Sequence, residues 1–148
     1  MGKYRVRADF PCRPKRNKVG IGRTETGEEL VLTNLVCSHG GVTYSLSATE
    51  MSEQSLKSLP ADAWASNTLD GLRAQPNNVQ KSSSRLSHLG FPAIRMHFTD
   101  TTAPSMDMAR LSLLTDAGVV MIGTSWHSGA PEPPATFTGS LAIAPAKN

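Results

Sequence analysis

Residues 90–122 read GFPAIRMHFTDTTAPSMDMARLSLLTDAGVVMI, and their patterning decides the fold. Ile94, Met96 and Phe98 alternate with Arg95 and His97, the period-two signature of a strand over 93–99. A tip of Thr, Asp and Pro over 100–105 leads to a second strand over 106–114, with Ala109, Leu111 and Leu113 on its inner side. Asp116-Ala117-Gly118 is a hairpin turn, with the glycine free to adopt positive φ. Val119, Val120, Met121 and Ile122 then run without a polar break, as expected of a central strand covered on both faces. Short links between these strands require antiparallel pairing.

The same reading extends to both ends. Tyr4, Val6, Ala8 and Phe10 alternate with Arg5, Arg7 and Asp9, and Pro11 and Pro14 stop that strand because proline donates no ladder hydrogen bond. Val19 and Ile21 continue the pattern over 18–25, Thr26-Gly27 turns, 29–37 is rich in Leu and Val, and His39-Gly40-Gly41 turns into Val42, Tyr44, Leu46 and Ala48. This half reads as a four-stranded antiparallel meander.

Between the halves, residues 60–74 take helical spacing: Ala61, Trp64 or Ala65, Thr68 and Leu72 share one face, with Leu69 beside them. Ser58 is a candidate cap, Pro60 suits an early helical position and Pro76 closes the segment. Trp64 is expected to plug the space between helix and sheet. The polar run 79–89 suits an edge strand, 134–140 a short helix and 141–143 a last strand. The expectation is one α+β domain spanning 1–148: an antiparallel sheet of about seven to nine strands carrying a main helix and a short C-terminal helix.

Cys12 and Cys37 each follow a strand, over 4–10 and 30–37. If the strands meander, the first and third run the same way and both cysteines reach one pole. No metal-ligand spacing surrounds them, so a disulfide is the leading reading, and it implies an oxidising compartment. The alternative is two unpaired, buried thiols acting as small hydrophobes. Met1-Gly2 directly before a strand is the pattern expected where an export signal has been removed. No run of eighteen apolar residues spans a membrane.

The net charge of +3 is unevenly spread. Lys3, Arg5, Arg7, Arg13, Lys15, Arg16, Lys18 and Arg23 face a single early acid, Asp9, whereas the remainder is net acidic. Such asymmetry marks either a site for an acidic partner or a solvated strand that resists edge pairing. No aromatics interleave with the cations, so single-stranded nucleic acid is not the expected target.

No catalytic constellation emerges. His39, His88, His97 and His127 form no metal-binding pair, and neither metal nor cofactor is expected. Cys37 and His39 share a strand face, but a second cysteine poised to pair with Cys37 removes the nucleophile. Gly123-Thr124-Ser125-Trp126-His127 lacks the second glycine of a hydrolase elbow. Asp100-Thr101-Thr102 has too few acids beside it for a calcium loop. Gly20-Ile21-Gly22 has no helix after it, as a phosphate cradle needs, and reads as a bend in a strand.

Four short pieces carry a family resemblance: Asp9-Phe10-Pro11-Cys12-Arg13-Pro14, Cys37-Ser38-His39-Gly40-Gly41-Val42-Thr43-Tyr44, Leu89-Gly90-Phe91-Pro92-Ala93 and Arg110-Leu111-Ser112-Leu113. With the element order they resemble the PsbP-like α/β-sandwich family, and small exported bacterial members in particular. The resemblance implies an α/β sandwich that binds, caps or scaffolds other proteins, with no catalytic set to carry over. The expected function is therefore a non-catalytic periplasmic or secreted protein that binds another protein, such as an effector-neutralising immunity or inhibitor protein. The alternative is a binder of anionic surfaces, lipid headgroups or nucleic acid, through the basic N-terminal segment. Candidate contact residues are Arg13, Lys15 and Arg16, Asp100 on the 100–105 tip, and Trp126 and His127. An exposed Trp is a typical anchor, whereas a buried Trp126 would be structural.

Overall fold

A computed structural model describes residues 3–24 and 27–146 of the chain. Met1-Gly2, the expected strand end at Glu25 and the turn residue Thr26 lie outside the described residues. The elements in order are β1 (Tyr4–Arg7), β2 (Lys15–Arg23), β3 (Glu29–His39), β4 (Val42–Glu50), α1 (Glu53–Lys57), α2 (Ala61–Arg73), β5 (Asn78–His88), β6 (Phe91–Asp100), β7 (Met106–Thr115), β8 (Gly118–His127), α3 (Thr136–Gly139) and β9 (Ala142–Pro145). Seven strands form one antiparallel sheet in the order β2-β3-β4-β8-β7-β6-β5, and β1 pairs with β9 in a second, two-stranded sheet. The result is a mostly antiparallel β-sandwich with few helices.

Strand β8 occupies the centre of the large sheet, as its apolar start requires. Its pairing with β4 joins two meanders, β2-β3-β4 and β5-β6-β7-β8, through the register Val42↔Trp126 to Glu50↔Gly118. A glycine permits the close approach on each side of β8, Gly118 toward β4 and Gly123 toward β7. A Cβ on Gly118 (φ +145°) would sit 1.9 Å from the Thr49 carbonyl oxygen, and one on Gly123 would sit 2.9 Å from that of Ala109. Any side chain at Gly118 would force the backbones apart.

Alternation along the strands sends side chains to two cores. On one face Leu46, Leu111, Leu113, Val120 and Ile122 meet Phe137 and Leu141, with Val6, Phe10 and Ile143 of the second layer packed against them. Phe137 is gripped edge-on by Phe10 and Tyr44, at centroid distances of 4.9 and 5.1 Å. On the other face α2 lies across β5 and β6, where Trp64 and Ala65 cover Ile94, Met96 and Phe98. Trp64 is thus the expected plug. Ser58 does not cap α2, which starts after Pro60 with no side-chain cap; Ser58 instead ends α1, a five-residue helix capped by Ser52.

The four-strand meander needs correction. The first strand leaves the main sheet and pairs with β9, because residues 8–14 cross between layers: the Asp9 amide donates to Ser140 Oγ, and Pro11 and Pro14 prevent ladder pairing. The disulfide between Cys12 and Cys37 nevertheless forms, with Cα atoms 6.0 Å apart. The cysteines meet because β2 runs antiparallel to β3, with Lys15 opposite Val36, which sets residue 12 beside residue 37.

Both edges of the large sheet carry a bulge, at Gly20/Gly22 in β2 and Gln80/Ser82 in β5. Lys15, Arg16 and Lys18 on β2, and Lys81 and Arg85 on β5, add charge to those edges. Bulges and lysines of this kind discourage strand-to-strand aggregation. Gly20 and Gly22 thus mark the bend expected of them.

Two expected outcomes follow from these ties. The disulfide closes a loop of sequence separation 25, so Cys12→Ser/Cys37→Ser should lower the unfolding free energy by about 3–4 kcal/mol, read by urea denaturation. Reductant should lower wild-type stability by a similar amount and leave the double variant unchanged. At the opposite end, Asp116 accepts hydrogen bonds from Lys3 Nζ and Tyr4 Oη and ties the second layer to the β7–β8 turn. The Lys3 bond, then the Tyr4 bond, hold the Asp116 carboxyl below its ordinary value of 3.8. A depressed folded pKa means this tie is intact above that value and is lost as pH falls through the lower folded one. Asp116→Asn should therefore flatten the acid limb of the stability–pH curve in that window.

Candidate functional site

The antiparallel order places the ends of β3, β6 and β8 and the starts of β2, β4, β5 and β7 at one pole, together with the disulfide. Arg13, Lys15, Arg16, Asp100 and His127 all fall there. They do not form one patch. Strands are about 4.8 Å apart, so β2 and β6, five steps apart, set Arg16 and Asp100 roughly 24 Å from each other. Arg13, Lys15, Arg16 and His127 are exposed. Asp100 turns back on its own loop: its Oδ1 accepts the Thr102 amide at 2.9 Å, and that bond lowers its pKa.

Trp126 is the clear correction among the contact residues. It lies inside β8 at 2% exposure, packed beside the His97 ring at 5.8 Å, and offers no anchor to a partner. The period-two step from Val120 through Ile122 and Thr124 to Trp126 keeps it on the buried face. Below it, Asp107 Oδ1 accepts hydrogen bonds from Thr99, Lys81 and Ser128, and Ser128 also bonds Ser105. The Thr99 bond is the main cause of the lowered Asp107 pKa, with Lys81 adding to it. These contacts fasten the two loops next to β8.

Cys37 Sγ is spent in the disulfide, so a Cys37–His39 pair has no thiolate. Residues 123–127 run along a strand rather than through a strand-to-helix elbow. Among the described residues no group of three His, Cys, Asp or Glu side chains is placed to hold a metal ion.

What the strand pattern does build is a groove of about 690 Å³ between the two sheets. Val31, Thr33 and Leu35 of β3, with Leu46 and Ala48 of β4, supply its floor, and Tyr4, Arg5 and Val6 of β1 supply one wall. The register Arg16↔Leu35↔Leu46 and Lys18↔Thr33↔Ala48 sets both cations over that floor from the open side. Glu28, Glu29 and Glu50 line the other end. Glu28 is occupied there, accepting from the Ser52 amide and from Ser55 Oγ, which lowers its pKa. The side chains of Arg5, Arg16 and Lys18 have no ion-pair or hydrogen-bond partner among the described residues. Val31 remains 42% exposed, so part of the aliphatic floor is uncovered. A second cleft of about 800 Å³ lies near Lys3, Leu56, Phe91 and Asp116; neither cleft is lined by His39 or His127.

Arg16 is therefore the one residue shared by the sequence-based contact set and this groove. Val31 and Arg5 escape sequence reasoning because their strands alternate regularly, and alternation does not say which layer comes to lie opposite. Among the described residues no helix is long and apolar enough to cross a membrane. Scanned against protein-family models and searched against curated proteins, the chain matches none.

Proposed function

We propose that this chain is a non-catalytic, exported bacterial protein of the PsbP-like type that binds another protein, with its inter-sheet groove as the recognising surface. The observation that carries the reading is the groove's makeup: an aliphatic floor left open at Val31, with Arg5, Arg16 and Lys18 around it, three cations with no acid of their own. Interfaces draw affinity from such apolar patches and take orientation and on-rate from complementary charge. The partner is accordingly an acidic protein that lays an apolar stretch over Val31. Edge pairing is a poor alternative, because both edges of the large sheet are bulged and charged.

Location rests on the disulfide, which persists in oxidising compartments and is rare where thiols are kept reduced. A periplasmic or secreted protein with this surface suits neutralisation of an effector or enzyme, as an immunity or inhibitor protein. The competing idea, adhesion to lipid headgroups or nucleic acid, fits less well. Lys15 projects to the opposite face of β2 from Arg16 and Lys18, so the basic segment is divided between two faces.

The test is capture of a partner from periplasmic extract on immobilised wild-type chain, Arg16→Glu/Lys18→Glu and Arg73→Glu. The wild type and Arg73→Glu should retain the same acidic protein, and the double reversal should weaken its retention tenfold or more, equivalent to about 1.4 kcal/mol. Equal retention by all three, or binding to anionic vesicles with no protein retained, would overturn the proposal.

A further inference from the structure

Arg110 is the most informative side chain that the groove does not use. It lies on β7 in the middle part of the large sheet and points to the face that α2 shares, opposite Met96 on β6 and Gly123 on β8. It is half-buried, yet among the described residues it makes no ion pair and no hydrogen bond. Its guanidinium carbon lies 5.2 Å from the centroid of the Phe98 ring. Burial lowers its pKa and no acid raises it. A buried charge is costly unless paired, and a guanidinium escapes that cost poorly because it does not give up its proton.

The surroundings explain why the charge has no partner inside the fold. The register puts Gly123, then Ser45, beside Arg110, with Ser125 next along β8. On this face β8 and β4 contribute Val119, Met121, Gly123 and Ser125, then Thr43, Ser45, Ser47 and Thr49, and none is acidic. The acids of α2 are engaged elsewhere, Asp62 by Arg85 and Asp70 by Arg73. The α2 cluster reaches Met108 and Leu114 on β7 and Val119 on β8, and Ser47, Thr49 and Ser112 are buried at that end of the face, whereas Thr43, Ser45 and Ser125 beside Arg110 are only half-buried. Gly123 leaves the flank of Arg110 without a side chain, and the Ala109 carbonyl forbids one there.

We propose that Arg110 is the anchor of a carboxylate-binding site beside Gly123, Ser45 and Ser125, on the half-buried part of the sheet face that α2 shares. The planar guanidinium fork matches two carboxylate oxygens, and Phe98 holds the fork in place from beneath. A single positive charge among neutral hydroxyls matches one unit of negative charge, which favours a carboxylate over a doubly charged phosphate. The site lies on the opposite face of the sheet from the groove floor and is independent of it.

The experiment is a titration of the whole, oxidised chain with sodium acetate at fixed ionic strength, with chloride and inorganic phosphate as parallel arms, followed by ¹H–¹⁵N NMR. Acetate should shift the Arg110 Nε–Hε signal and the Gly123 amide saturably, phosphate should do so more weakly, and chloride should not. Arg110→Met should lose the acetate response tenfold or more. Arg110→Lys keeps the charge without the fork and should bind acetate severalfold more weakly, so it serves even if the Met variant fails to fold. Arg16→Glu/Lys18→Glu should respond like the wild type, which separates failure here from failure of the groove. No saturable acetate response in the wild type, or an equal one in either Arg110 variant, would overturn the proposal and leave Arg110 a structural cation on Phe98.

Discussion

The pairing of β8 between β4 and β7 is the constraint on which this structure rests. Each meander alone is a half-sheet with an apolar face and an open edge, and β8 joins them across more than seventy residues of chain, as in Leu46↔Ile122. The register is strict because Val120 and Ile122 are fully buried on the face they share with Leu111 and Leu113; a shift by one residue would expose all of them. Gly118 and Gly123 are the steric condition for that approach. From the seam come both cores, the floor of the groove on one face and the hydroxyl-lined half-sheet beside Arg110 on the other.

Much of this is written locally. Strands β6 and β7 show period-two alternation with clear turns, so their extents are legible, and the spacing of Trp64, Ala65, Leu69 and Leu72 announces α2, whereas β8 reads only over its apolar start and continues to His127. What escapes is long-range. The alternation of Tyr4, Val6 and Ala8 reports a half-buried strand without saying which strand it meets, and the partner, β9, lies at the other end of the chain. Helix α1 is five residues long, too short for any periodic signal. Arg110 escapes for a related reason: with Leu111 and Leu113 inward, its own side reads as solvent, and nothing local says that a helix ends close by on that face. The burial of Trp126 follows from its step from Ile122 along β8, which continues to His127.

The disulfide shows how a conclusion survives the loss of its premise. The cysteines meet at one pole although β1 is not a neighbour of β3, since the antiparallel start of β2 brings residue 12 to the same place. It anchors the crossing segment 8–14 at the pole end, while Lys3 and Tyr4 anchor the same layer to Asp116 at the other. The groove lies between these two ties. Its walls belong to different sheets, so the shape of the recognising surface depends on the second layer staying docked.

The most direct test of the seam is native-state hydrogen exchange resolved by residue. If β8 unites the two meanders, the amides along β4 and β8 exchange last and only through unfolding of the whole chain, with a common opening free energy on both sides of the seam. Should the β2-β3-β4 half open at a distinctly lower free energy than β5-β6-β7-β8, with β8 amides protected while those of β4 exchange, the two halves are separate units and the account of the seam is wrong.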